Sequence, residues 1–248
     1  MLKTRIIPVL TFNGISLVKT IQFDSVRTVG NPIQAARIYN SREVDELIFV
    51  DIMATHQKRK VNLPLIKKII DECFMPVTIG GGVETFEDIN SLLRIGADKV
   101  IIKTKAIEDP SFISKAVDYF GSQCISIAVD AKQINGDYFI FSKYHKNISL
   151  EDFIQEMNNC KVGEYAVNAV DRDGMMQGYD LSLYKLVNQL TNVPVIAIGG
   201  AGKPEHFVQL CQNKFKGALA AASIFHFTQY TPQEIKKTLE LNNVPIRI

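Results

Sequence analysis

Residues 76–81 read PVTIGG, and residues 194–200 read PVIAIGG. Ile79-Gly80-Gly81 and Ile198-Gly199-Gly200 lie 119 residues apart. Thr104 and Ser223 keep the same offset, as do Thr11 and Asp130. Each of these residues stands where a short apolar run ends. One offset shared by several run ends implies two similar halves, about residues 1–119 and 120–248.

The runs themselves are RIIPVL (5–10), ELIFVDI (46–52), PVTIGG (76–81), KVIIK (99–103), CISIAVD (124–130), EYAVNAVD (164–171), PVIAIGG (194–200) and GALAAAS (217–223). They lack the in–out alternation of a half-solvated sheet, which suits parallel strands buried on both faces. The longer segments between them carry helix starts. Asn31-Pro32, Asp109-Pro110 and Thr231-Pro232 each set a capping residue ahead of a proline. Thr85 with Asp88, and Ser149 with Asp152, have the spacing of capping boxes. Asn135-Gly136 inside KQINGDYFIFSKYHK (132–146) predicts a hairpin inserted after strand five.

Eight βα units in 248 residues predict an α/β fold, a single (β/α)₈ TIM barrel spanning 1–248. An open doubly wound sheet is the alternative, and it seldom needs eight evenly spaced units.

With 46% hydrophobic residues the chain can bury a large core. Its 28 basic and 26 acidic residues leave a net charge of +2, which gives no electrostatic reason to expect nucleic acid. The four cysteines form no CxxC pair, so neither a zinc site nor a disulfide framework is expected, and reduced thiols suit a cytoplasmic protein. No apolar run reaches the ~18 residues of a membrane span, and the N-terminus leads straight into a strand without a signal peptide. No metal or cofactor is expected.

In such a barrel, chemistry belongs at the C-terminal ends of the strands. Gly81 and Gly82 after strand three, and Gly200 and Gly202 after strand seven, let backbone approach a ligand. Thr104 and Ser223, preceded by Lys103 and Ala222, stand at the tops of strands four and eight. Glycine turns and hydroxyls beside helix starts make an anion site, and its duplication suits an elongated bisphosphate. The plainer alternative is that the glycines only serve tight turns. Asp51, Asp130 and Asp173 fall at or just past strands two, five and six. Asp51 could equally hold a loop, whereas Asp130 follows an apolar run into the mouth and is the better candidate for ligand or proton handling. Asp173-Gly174 belong to a polar segment, 171–180, long enough to fold over a ligand. Lys19, in the loop after strand one, is either solvated or an anion contact.

A second set marks the other end. Arg5, Glu46, Lys99 and Glu164 begin strands one, two, four and six. Charges at strand starts are commonly just solvated. Two cations and two anions from four strands could also close a salt-bridge ring across the barrel floor, as a plug or a gate.

In combination, VDELIFVDI (44–52), KRK (58–60), IGGGV (79–83), GADKV (96–100), VDAK (129–132), DRDG (171–174), GGAGKPEHF (199–207) and SIFHF (223–227) resemble the cyclase subunit of imidazole glycerol phosphate synthase, along essentially the whole chain. The resemblance implies a barrel docked by its floor on a glutaminase as a heterodimer. Ammonia would enter through a gate at the positions of Arg5, Glu46, Lys99 and Glu164, with Asp98 at the glutaminase contact. It would cross the barrel to a bisphosphate at the mouth. Two aspartates, at the ends of strands one and five, serve as the acid/base pair in that family; here the second is Asp130 and the first is Thr11. Lys103 also stands where the family has Asn, and Ile198 where it has a small polar residue. With LVKT, VGNP and VDELIFVDI the pattern looks more like paralogues in surface-polysaccharide biosynthesis, where the barrel supplies ammonia to a separate sugar amidotransferase that converts an N-acyl sugar to an amidine. That ammonia-delivering role is the leading expectation, and cyclisation in histidine biosynthesis is the alternative.

Overall fold

The apolar runs fold as strands that pair in chain order and then close on themselves. The computed structural model describes residues 3–145 and 148–247. Its barrel strands are β1 (Ile6–Phe12), β2 (Leu47–Asp51), β3 (Val77–Gly80), β4 (Lys99–Ile102), β5 (Ile125–Ile134), β6 (Glu164–Ala169), β7 (Val195–Ile198) and β8 (Ala218–Ala221). Every neighbouring pair is parallel. The circle closes where Ile6, Ile7 and Pro8 register with Leu219, Ala220 and Ala221. This is the (β/α)₈ barrel that the eight runs predict.

Helices follow the strands as α1 (Pro32–Ser41), α2 (Leu63–Ile70), α3 (Phe86–Arg94), α4 (Thr104–Glu108), α5 (Pro110–Phe120), α6 (Leu150–Asn159), α7 (Leu181–Leu190), α8 (Pro204–Gln212), α9 (Ser223–Phe227) and α10 (Pro232–Leu241). Asn31, Asp109 and Thr231 each accept a first-turn backbone N–H, so their prolines open α1, α5 and α10 as expected. Thr85 and Asp88 form a reciprocal capping box. At α6 the box is only half made. Ser149 accepts from the Asp152 N–H, while its backbone is engaged in an antiparallel bridge with Phe139.

The half-barrel repeat extends to backbone detail. Strands β4 and β8 each run directly into an extra five-residue helix, α4 and α9, at the same 119-residue offset. The residues ahead of them share one conformation: Lys103 at φ −124°, ψ −73° and Ala222 at φ −124°, ψ −64°.

Two features lie beyond the strand ends. Strand β5 overshoots the barrel and pairs antiparallel with Asp137–Ile140, across Asn135 (φ 53°) and Gly136 (φ 99°), as the Asn-Gly hairpin requires. Lys146, at the end of that predicted insertion, lies outside the described residues. After β1 the chain makes a second hairpin, Leu17–Thr20 with Val26–Gly30, where the sequence suggested only a loop. Thr11 registers with Val18, so this hairpin is an antiparallel extension of β1. Its outer strand is largely exposed, and that weak burial explains why no apolar run announced it.

Alternate residues of each strand serve different layers. Ile125, Ile127 and Val129 join the strand–helix core. The barrel interior is a separate apolar cluster that includes Ile7, Val9, Ile48, Ile101, Ala166, Ile196, Ala218 and Ala220. That alternation fixes which residues can face the mouth and the floor. No helix among the described residues is long and apolar enough to cross a membrane.

Candidate functional site

Two positions below the first interior apolar residues of β1, β2, β4 and β6 stand Arg5, Glu46, Lys99 and Glu164. Arg5 donates to Glu46 and to Glu164, both at 2.5 Å. Lys99 donates to the same two carboxylates at 3.0 and 2.7 Å. Each anion therefore bridges both cations, and the ring is closed. Thr78 on β3 donates a further hydrogen bond to Glu46 at 3.0 Å. The glutamate side chains are only 3% and 6% exposed. Carboxylates that dry stay charged only when paired, so the ring is an electrostatic unit rather than four solvated ends. Burial works against the Arg5 charge, but Glu164 and Glu46 outweigh it and hold its pKa above the ordinary value. Asp98 is exposed at the rim, where its carboxylate also accepts from the Val77 N–H at 2.8 Å.

At the opposite end lies a cavity of about 480 Å³. Thr11, Lys19, Asp51, Asp130, Asp173 and Gly174 all line it. So do Gly81, Gly82 and Gly200 from the glycine turns, and Lys103, Thr104, Ala222 and Ser223 from the tops of β4 and β8. Gly202 stands apart from this group. Its N–H donates to His206 Nδ1 at 3.1 Å, so it anchors α8 instead of facing the mouth.

The glycine turns have a packing reason of their own. Gly81 has φ +105°, and a Cβ there would lie 2.2 Å from the Asp51 carbonyl oxygen. Gly200 has φ +96°, and a Cβ would lie 2.1 Å from that of Gly178. The first turn presses on the end of β2 and the second on the loop after β6, a constraint independent of any ligand.

The mouth carboxylates are each engaged. Lys19 donates to both oxygens of Asp173, at 2.7 and 2.6 Å, and Thr20 adds a bond at 3.2 Å. Lys19 is thus neither solvated nor in a loop; it sits on the hairpin strand Leu17–Thr20 in a buried pair. Burial raises the Asp173 pKa, against the opposing pull of Lys19 and Thr20. Asp51 accepts two bonds from Arg59, at 2.9 and 3.2 Å, and one from the Met53 N–H, which fits its loop-holding alternative. Lys103 meets Asp130 at 2.5 Å, and Phe141 lies within reach of both Lys103 and Lys132. The Thr11 hydroxyl donates to the Val18 carbonyl and is tied to the hairpin.

Sequence reasoning missed several mouth residues. Arg59 lies in the quoted KRK but had no assigned partner. His56 and Tyr144 come from different loops and meet at 2.6 Å. Burial, then Lys143 and Lys103, lowers the His56 pKa. Phe23 and Phe141 stack edge to face across the first and fifth loops, 5.5 Å apart. Asn168 faces the cavity from β6, next to Asp130 in register. Its Oδ1 and the Oγ of Ser126 are buried without a hydrogen-bond partner among the described residues, a cost of about 1–3 kcal/mol each when nothing fills the place. No local motif marks such residues. Among the described residues no cluster of His, Cys, Asp and Glu has the arrangement of a metal site.

The family model described as "Histidine biosynthesis protein" matches residues 5–231. The chain belongs to this family. Within it, the chain is 39% identical to the imidazole glycerol phosphate synthase subunit HisF of Pyrococcus furiosus, over the full length of both chains. It is 38% identical to that of Hydrogenobaculum sp. and 40% identical to that of Staphylococcus saprophyticus, again over the full length of both. Family membership agrees with the motif resemblance, while nothing in these relatives points to the polysaccharide-linked paralogues.

Proposed function

We propose that this chain is the ammonia-using barrel subunit of a glutamine-dependent synthase. One observation carries the reading: a closed ring of two cations and two anions seals the floor beneath a polar mouth, with Asp98 exposed at its rim. A glutaminase docks on that floor and releases ammonia there. Displacement of Lys99 from its two glutamates opens the ring, because its ammonium is a point charge held at 3.0 and 2.7 Å, whereas the planar guanidinium of Arg5 forks to both glutamates at 2.5 Å. The likeness to imidazole glycerol phosphate synthase subunits supports cyclisation as the last step. In that reading the two turn-and-hydroxyl sets, Gly81 to Thr104 and Gly200 to Ser223, take the phosphates of a ribulosyl bisphosphate, and Asp130 handles the proton.

A second reading has its own observation. Thr11 stands at the position of the family's other acid/base aspartate, and its hydroxyl is committed to the Val18 carbonyl. A hydroxyl of this kind does not ionise near neutrality and cannot act as the base. Loss of one general acid–base group typically removes ~10²–10⁴ in rate, or about 3–5 kcal/mol of barrier. Under this reading the barrel passes ammonia to a separate amidotransferase acting on an N-acyl sugar.

Purified barrel with the bisphosphate substrate and an ammonium salt separates the two. Robust imidazole product from the unaltered chain supports cyclisation and removes the second reading. Product that appears only with Thr11→Asp supports the second. Co-purification with a glutaminase, abolished by charge reversal at Asp98 and Lys99, tests the shared floor; a complex indifferent to both reversals would refute it.

A further inference from the structure

The interior walls of the barrel are unequal. On β5 and β6 the inward residues register in pairs: Ser126 with Glu164, Ala128 with Ala166, and Asp130 with Asn168. Ala128, Asp130, Ala166 and Asn168 line the mouth cavity, and strand alternation puts Ser126 and Glu164 on the same face below them. This seam runs from the floor ring to the mouth over about 13 Å, four residues of strand. Its middle carries only methyl groups, as does the β8 wall with Ala218 and Ala220, whereas β2, β4 and β7 present Ile48, Ile101 and Ile196 to the interior; what sets the seam apart is its polar atoms.

Two unpartnered polar atoms bracket the alanine stretch. Ser126 is 1% exposed, its Oγ without a partner among the described residues, beside Glu164 in register. Asn168 Oδ1 is likewise buried and unpartnered, beside Asp130. Thr78 and the ring satisfy one another, whereas these two atoms stand unpartnered beside hydrocarbon, which implies a small guest that hydrogen-bonds to them. Resting on the ammonia reading above, the structure assigns the ammonia path to the β5–β6 seam, with Ser126 Oγ and Asn168 Oδ1 as its two hydrogen-bonding stations. Ammonia crosses as the neutral molecule, since the alanine stretch offers an ammonium ion no counter-charge. Ser126 accepts it as it leaves the Glu164 side of the ring. Asn168 then accepts one of its N–H groups at the mouth.

The test uses the full chain in complex with its glutaminase and compares glutamine-driven with ammonium-driven product formation. Ser126→Thr and Ser126→Val fill nearly the same volume and differ in a hydroxyl against a methyl. Ser126→Thr is expected to keep the glutamine-driven rate, and Ser126→Val to lose ~5–10-fold of it, the worth of one hydrogen bond, with the ammonium-driven rate unchanged. Ala220→Val narrows the β8 wall instead and is expected to leave both rates alone. Thr and Val variants of equal glutamine-driven rate overturn the Ser126 station, and that is also the result if Ser126 only holds a resident water. A loss with Ala220→Val as large as with Ser126→Val overturns confinement to the seam. A wild-type complex that aminates neither acceptor from glutamine removes the functional reading itself, and the path with it.

Discussion

Replacing Lys19 with Met tests the ion pair that ties the first-loop hairpin to the mouth. Lys19 donates to both Asp173 oxygens, and the two side chains are only 7% and 5% exposed. Met keeps most of the stem and removes the charge. Breaking a buried pair typically costs ~3–5 kcal/mol, because the remaining ion has no counter-charge. Proton uptake sets a ceiling on that cost. Holding a carboxyl of unfolded pKa about 3.9 neutral costs about 4 kcal/mol at pH 7 and about 1.5 kcal/mol at pH 5. Lys19→Met should therefore lose about 3–4 kcal/mol at pH 7, shrinking to about 1.5 kcal/mol at pH 5. The sign follows from burial, which raises the Asp173 pKa, while Lys19 opposes the rise. Without Lys19 the folded state binds the Asp173 proton more readily than the unfolded chain does, so acidification favours folding. Lys19 also contributes to lowering the His226 pKa, and its removal shifts the balance in the same direction. Urea unfolding of both proteins at pH 7 and pH 5 measures the two deficits. A deficit that is equal at both pH values, or larger at pH 5, refutes the view of Asp173 as a carboxylate held ionised by Lys19.

Two other perturbations address the floor and the shell around the mouth. Lys99→Met leaves Glu46 and Glu164 sharing Arg5; because Lys99 is 20% exposed and each glutamate keeps one cation, a loss of only about 1–2 kcal/mol is expected. In the glutaminase complex its glutamine-driven rate should change several-fold more than its ammonium-driven rate, and equal changes would leave the ring a structural salt bridge alone. Burial lowers the His226 pKa to about 4, against a raising contribution from a Val9 backbone hydrogen bond. Its contribution to stability is therefore complete above pH ~6.5 and is lost as pH falls through about 4, up to about 3 kcal/mol. An imidazole resonance in the folded protein that titrates near 6.5 would contradict this.

Several of these groups were legible before folding. The 119-residue offset placed Thr11, Asp130, Thr104 and Ser223 at equivalent strand ends, and α4 and α9 reproduce that equivalence down to the dihedral angles ahead of them. Lys19 was named as a candidate, but its strand and its partner were not legible, because the strand is a four-residue arm whose outer neighbour is largely exposed and whose pattern carries no period. Its partner Asp173 is 154 residues away. Arg59 on Asp51, Lys103 on Asp130 and the His56–Tyr144 contact are likewise made between loops or strand ends that no spacing rule connects.

Strand count, the half-barrel repeat, the Asn-Gly hairpin and the helix starts were set by the sequence itself, since each depends on apolar periodicity or on backbone preferences spanning a few residues. The tertiary structure decided which charges meet. Closing eight strands brings the charged atoms of Arg5 and Lys99 within 3.0 Å of those of Glu46 and Glu164, across up to 159 residues of chain. It also buries Ser126 Oγ and Asn168 Oδ1 without a hydrogen-bond partner among the described residues. Electrostatic pairing and desolvation depend on distance in space, which chain order does not encode.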